Sequence, residues 1–245
     1  MGHLGDQNKQ AGMMHIVGSV YDAPSTTQKN VLGTTVQIGR RHFRYVSSKV
    51  SFAAGEVVGV PAASGIKANL CAAAAIGDVA VTITLGSVTL NQYQGGYLFT
   101  TDDAGQGYAF RIKSNTATSG GTFTVTLYDP LVVALTSASD VSLEPSLDYL
   151  VQQCTAALMP LGVSCGAWTG GGSTEQYGWI QTWGPGVALV TTATTIAAGL
   201  EVASGASGGI VIKSATIAKL GVALEEAEDA AGYQPIFIMV EQAGG

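Results

Sequence analysis

The sequence predicts a mainly β protein: antiparallel β meander, sandwich or barrel-like units with few short helices. Three observations predict it. The chain has 245 residues and 33 glycines, and 47% of it is hydrophobic while only 11% is charged, less than half the usual charged share. That composition lacks the Lys- and Glu-rich faces of helix bundles and coiled coils, and it is too apolar for a charged disordered tail. Apolar residues alternate with Thr and Ser over short runs, which is the period-two pattern of half-buried strands. Clusters of Gly, Asp and Pro punctuate those runs as turns.

Residues 1–30 are polar, broken by Gly and Pro, and show no sustained period. They read as an extended arm that orders only against a partner surface. Thr34 to Gly39, Arg41 to Val46 and Val57 to Val60 follow as short strands, the last stopped by Pro61, whose missing donor limits a ladder. Asp78 to Leu85 is the clearest alternating strand. Tyr97 to Thr100 and Tyr108 to Lys113 flank a turn at 102–107, so they read as a hairpin with a loop of about six residues. A second turn at Ser119-Gly120-Gly121 leads into Thr122 to Leu127, and residues 78–127 are expected to form one antiparallel meander.

Leu147, Leu150, Val151, Cys154 and Leu158 fall at helical spacing and predict one short helix. Further strands are expected at Tyr177 to Trp183, Val187 to Thr191, Gly209 to Ile212, Lys219 to Leu224 and Ile236 to Val240. The glycines and all three tryptophans concentrated in 162–186 mark a change of composition. We therefore expect an arm over 1–30, an N-terminal β domain over 31–155 and a C-terminal β domain over 156–245. Ala53-Ala54-Gly55-Glu56-Val57 echoes Ala197-Ala198-Gly199-Leu200-Glu201-Val202, a hint of two related elements.

The net charge of −6 supplies no global basic field for nucleic acid. With so few charges, either Thr, Ser, Gln and Asn solvate the surface or other subunits cover it. Cys71, Cys154 and Cys165 are odd in number and lack zinc or redox spacing, so buried free thiols made in a reducing compartment are expected. The first 30 residues hold no signal-length apolar run, and Leu70 to Ile76 is too short to span a bilayer. The expectation is neither secretion nor membrane insertion.

Chemistry-bearing motifs are sparse. Gly162 to Gly166 and Gly205 to Gly209 fit a nucleophile-elbow spacing around Ser164 and Ser207. A serine hydrolase of that type needs a histidine after the serine, and His3, His15 and His42 all precede residue 43. Both serines are expected to be structural. The Asp102-Asp103 loop lacks the alternating oxygen ligands and closing Glu of a calcium loop, so it reads as a turn. The sequence points to no enzyme activity, cofactor or metal.

Charge placement says more. Lys29, Arg40, Arg41, Arg44 and Lys49 cluster with His42, and Glu225, Glu226, Glu228 and Asp229 form an acidic counterpart. Either each cluster is a solvated face, or the two are complementary faces that meet between copies or on a larger scaffold. Phe43, Tyr45, Trp168, Tyr177, Trp179 and Trp183 are candidate interface anchors, because aromatic residues and Arg dominate interface energetics. The competing reading of each aromatic is a core residue.

Gly39-Arg40-Arg41-His42-Phe43-Arg44-Tyr45-Val46 followed by Ala53-Ala54-Gly55-Glu56 resembles the opening of structural proteins from tailed bacteriophages. The runs Gln94 to Leu98, Asp103 to Asn115 and Tyr128 to Leu135 continue the resemblance. So does Tyr177-Gly178-Trp179-Ile180-Gln181-Thr182-Trp183-Gly184, with Gly221 to Leu224 and the final Ile236 to Val240 strand similar to β-rich modules that cement phage capsids. The resemblance implies a non-enzymatic capsid decoration protein on the virion surface, made in the host cytoplasm. Its partners would be the major capsid protein and itself, as a homotrimer, with no nucleic acid and no membrane. The alternative is a tail-fibre or tailspike component, or a carbohydrate-binding β module.

Overall fold

A computed structural model describes residues 17–61, 65–155, 158–170, 172, 174–190, 196–205, 208–212, 219–226 and 232–240. Its strands run along the chain as β1 (Thr35–Ile38), β2 (Arg41–Ser48) and β3 (Val57–Gly59), then β4 (Ile66–Leu70), β5 (Ala80–Leu85), β6 (Tyr97–Asp102), β7 (Ala109–Asn115), β8 (Gly121–Leu127) and β9 (Asp140–Glu144). They continue as β10 (Gln152–Gln153), β11 (Pro160–Ser164), β12 (Gln176–Val190), β13 (Glu201–Ser204), β14 (Ile210–Ile212), β15 (Lys219–Ala223) and β16 (Gly232–Met239). The fold is all-β, its antiparallel sheets forming a half-barrel and a nearly closed barrel. Among the described residues no helix is long and apolar enough to cross a membrane.

The chain packs as two compact units, residues 1–62 with 148–245, and residues 63–147. The division is an insertion of one unit into the other, not a cut near 155. The reason is strand pairing. Residues 152–153 return to β3 of the first unit (Gln152 opposite Gly59, Gln153 opposite Val58), so the chain has rejoined its opening strands before 155.

The same pairing replaces the helix expected over 147–158. Leu147 is exposed, Leu150 has a left-handed φ of 55°, and Gln152–Gln153 is extended. Val151 and Cys154 are still fully buried, but through an extended segment whose backbone bonds go to another strand.

In the first unit β12 is the organising strand. Its early residues pair with β2, Trp179 opposite Tyr45, and with β11, Ile180 opposite Ser164. Its later residues pair with β16, from Trp183 opposite Met239 to Val190 opposite Gly232, and it meets β14 in parallel at Val190–Ile210. The ladder β12–β14–β13–β15–β16 closes back on β12. Ile196, Val202, Ile210, Leu220, Ile236 and Ile238 fill the core beneath it, all fully buried.

The echoed segments adopt one shape. Ala53 to Glu56 and Ala197 to Leu200 are both turns closed by an N–H to C=O bond of 3.3 Å across four residues. Gly55 and Gly199 sit at φ 73° and 82°, the left-handed third position that a type II turn requires. Each turn launches a strand, β3 and β13.

The arm is a second correction. Residues 17–30 lie on the first unit: Ser25 and Tyr177 exchange backbone bonds of 2.9 and 2.8 Å, and Val20 is 1% exposed among Val36, Phe43, Tyr45 and Trp179. Those contacts offset an ordering cost of about 1–2 kcal/mol per residue within the chain itself. Residues 1–16 lie outside the described residues.

The second unit is a six-stranded sheet ordered β4–β9–β6–β7–β8–β5. The β6–β7 hairpin and the β7–β8 pairing are those the sequence predicts. The β5 strand departs from the meander and pairs with β8 from Ala80–Thr126 to Leu85–Gly121. Asn115 fastens the connection that follows β5. Its side chain accepts from Tyr93 N at 2.8 Å and donates to Thr89 O at 2.9 Å, fixing the 86–96 connection beside β7. A bridge between Cys71 and Ile83 ties β5 back toward β4.

At Gly184, where β12 passes from one set of partners to the next, φ is 91° and an added Cβ would lie 2.2 Å from the Arg40 carbonyl oxygen. Replacing Gly184 with Ala is expected to cost about 1–3 kcal/mol from the left-handed backbone alone, with the clash added to it. Gly166→Ala, at a site with open space around the Cβ, stays within about 0.5 kcal/mol. Urea unfolding of the two variants checks the contrast, and equal midpoints would remove the special role of Gly184.

Candidate interface site

Strands β2 and β12 bring together seven of the nominated residues: Arg41, Phe43, Arg44, Tyr45, Tyr177, Trp179 and Trp183. The aromatic side chains between them pack inward: Phe43, Tyr45 and Trp179 are 0%, 2% and 4% exposed. Tyr45 meets Trp179 edge-on with ring centroids 5.0 Å apart, and its hydroxyl accepts from Lys29 N at 3.1 Å. Trp168 is also buried, edge-on to Phe52 at 5.6 Å. Tyr177 and Trp183 are half-buried, and Trp183 packs edge-on against Phe237 at 5.5 Å. The nominated anchors Phe43, Tyr45, Trp168 and Trp179 are therefore core residues. Alternation on β2 turns Phe43 and Tyr45 to one side and leaves His42 and Arg44 on the other.

The arginines separate by role. Arg40 is exposed. Arg44 pairs with Asp148 at 3.4 Å, a contact within the chain. Arg41 lies over two rings, its guanidinium 5.6 Å from the Tyr21 centroid and 5.5 Å from that of Phe43. Glu225 and Glu226 are exposed at the end of β15, while Glu228 and Asp229 lie outside the described residues.

Beside Arg41 opens a groove of about 320 Å³, lined also by Tyr21, Ala54, Val163, Cys165, Gln181 and Tyr233 among others. That volume is within the range of ligand-binding clefts. The Ala53–Glu56 turn forms part of its wall and is clamped from behind. Ser164 Oγ donates to Ala53 O at 2.6 Å and accepts from Glu56 N at 3.1 Å. Glu56 is buried, accepting from Ala53 N at 2.7 Å and from the Gln153 side-chain amide. Gln181 Nε2 lies 2.9 Å from Pro185 O and 3.1 Å from Trp183 O, bracing the bend of β12.

Ser164 thus has its hydroxyl committed to backbone groups and is 4% exposed. Ser207 lies outside the described residues. Among the described residues no three His, Cys, Asp or Glu side chains gather as a metal site. The Asp102-Asp103 loop is a turn: Asp103 N bonds Asp102 Oδ1 at 2.8 Å, and Asp103 Oδ2 accepts from Thr136 at 2.9 Å.

The sequence reading missed Tyr21, Gln181 and Tyr233 at the groove and Asp148 beside Arg44. Tyr21 lay in the presumed arm, and the others reach Arg41 or Arg44 only through pairing of strands far apart in the chain. A separate surface belongs to the second unit. Tyr97 and Phe99 stack at 6.0 Å on the outward side of β6, and Arg111 lies 5.2 Å over the exposed ring of Tyr128.

Burial sets the titration of the first unit's thiol and phenol. It pushes the Cys165 thiol up to about 12, with the Arg41 charge pulling the other way. It also pushes Tyr177 up to about 12, helped by the negative charge of Glu175. In the second unit Tyr93 reaches about 12 by burial. Cys71 and Cys154 are raised by burial as well.

The unfolded chain releases these protons from about pH 9 for Cys and 10 for Tyr, whereas the folded chain holds them to about 12. Stability is therefore complete on this account below about pH 9 and falls as pH rises from 9 to 12. Urea midpoints measured across that range are expected to drop, and Tyr177→Phe is expected to flatten the fall between pH 10 and 12. A wild-type midpoint constant to pH 12 would contradict it. At pH 8 iodoacetamide is expected to label Cys165 far more slowly than free glutathione, since the thiolate is the reactive form.

No protein-family model matches the chain, and neither a curated protein nor a solved structure matches it.

Proposed function

We propose that the chain is a non-enzymatic structural protein of a tailed-bacteriophage particle, which decorates the capsid by binding across major capsid protein subunits and stabilises the shell. The observation that carries this reading is where the resembling motifs meet. The Gly39–Val46 and Tyr177–Gly184 motifs, far apart in the chain, are neighbouring strands with Tyr45 opposite Trp179. The third, Ile236 to Val240, continues the same sheet on β16, where Ile238 faces Gly184. These three motifs thus meet in one sheet of the first unit, while the resembling runs Gln94 to Leu98, Asp103 to Asn115 and Tyr128 to Leu135 belong to the second.

The action is mechanical. Each copy adds apolar and hydrogen-bonded contacts across subunit joints, and many copies on one shell multiply a modest affinity. Low surface charge and exposed apolar side chains such as Val187 and Leu224 suit a protein that works among close neighbours. On this reading it acts as a homotrimer on the capsid surface, without cofactor, nucleic acid or membrane.

The face formed by Tyr97, Phe99, Arg111 and Tyr128 favours a second reading, a carbohydrate-binding or tail-fibre role. Stacked rings with polar neighbours suit the apolar face and hydroxyl rim of a sugar.

Sedimentation of the purified chain with capsids stripped of decoration, with isolated tails, and a glycan-array screen separate the two. The expected result is co-sedimentation with capsids and a higher temperature of capsid opening. Binding to tails or glycans with none to capsids would overturn the decoration reading.

A further inference from the structure

Among the described residues Arg41 is the only charged one lining the groove. Among the described residues no carboxylate pairs with it. Two aromatic rings hold the guanidinium in place, so its charge is positioned before any partner arrives. In a chain of net charge −6 such an arginine is a local positive focus, attracting carboxylates and excluding cations. Beside it stands the half-exposed Val187 over the buried Val163, and Tyr21 and Tyr233 stand exposed at the rim.

The same unit presents the complementary surface. Leu224, Glu225 and Glu226 follow β15 and are all exposed. The backbone there is fixed, since Leu224 N donates to Pro235 O at 3.0 Å and Gln234 Nε2 donates to Glu225 O at 2.6 Å. The turn therefore offers one apolar side chain and two carboxylates from a rigid base. The groove offers the exposed side of Val187 and a guanidinium that pairs with no carboxylate among the described residues.

We propose that the groove of one copy receives the Leu224–Glu226 turn of a second copy, Leu224 against Val187 and the glutamates against Arg41. The contact joins two different patches, so it gives a two-fold pair where both form reciprocally and a ring where each copy uses one patch per neighbour and the rotation closes. A ring of three is the trimer of the decoration reading. The inference rests on the self-association part of that reading and is independent of the shell. Guanidinium–carboxylate pairing in a partly desolvated groove acts on dissociation, so losing it is costly.

Charge reversal tests it. Sedimentation velocity at micromolar concentration would compare the wild type, Arg41→Glu, the double variant Glu225→Arg with Glu226→Arg, and all three changes together. The wild type is expected to be a reversible oligomer. Each reversal alone is expected to raise its dissociation constant about tenfold or more, and the combination to restore association. About 0.5 M salt, where the Debye length is about 4–5 Å, should weaken the wild type in the same direction.

A wild type that stays monomeric, reversals that associate as the wild type does, or a combination that fails to recover would each overturn the proposal. Far-UV circular dichroism monitors folding, and Arg41→Gln replaces Arg41→Glu should the latter lose its β signal. Capsid binding is scored in parallel. A monomer that still attaches to capsids refutes this contact alone, and an oligomer that ignores capsids refutes the decoration reading alone.

Discussion

The hydrogen bonding of one strand, the 15-residue Gln176–Val190, holds the first unit together. A buried strand points N–H and C=O groups to both sides, and each must find a partner because burying it unpaired is costly. β12 meets that demand by changing neighbours along its length, from β2 and β11 to β16 and β14. The change falls at Gly184, where the left-handed backbone and the close Arg40 carbonyl leave no room for a side chain. The closed ladder, the aromatic seam and the groove wall all follow from that partner change.

The inserted unit obeys the same rule with a smaller device. Its strands alternate cleanly, with Leu98, Ile112, Phe123, Val125 and Leu143 turned inward. One buried amide fastens its longest connection between strands of the β5–β8 run. Asn115, 2% exposed, satisfies backbone groups of the 86–96 connection that a strand would otherwise have paired. Buried polar groups of this kind specify an arrangement because few alternatives satisfy all of them.

At the candidate site, similar residue types divide according to what surrounds them. Arg44 is neutralised by Asp148, whereas Arg41 is held by aromatic faces and keeps its charge available. Phe43 and Tyr45 are core, while Tyr21 and Tyr233 stand exposed. The glutamates at 225 and 226 stand apart from both arginines' contacts within the chain. Hydroxyl and amide side chains do much of the internal fastening, as Ser164 does at the Ala53–Glu56 turn. That is consistent with a chain so poor in charge.

The sequence by itself determined the all-β class and the strands whose two faces differ. Alternation in Phe123, Val125 and Leu127, and the turn between β6 and β7, are local patterns that need no partner to be read. Even the Ala-Ala-Gly echo was legible, because a type II turn is a property of four residues. Pro160–Ser164 was not, since all five residues are buried and a strand covered on both faces carries no alternation. The helical spacing at 147–158 misled for the converse reason: apolar positions at that period are also met by a bent, extended segment once Leu150 adopts a left-handed φ. Which aromatic is core, which arginine is paired and which strands are neighbours were decided only by tertiary structure. Each depends on backbone pairing between residues such as Tyr45 and Trp179, and no local pattern records the partner a strand will find.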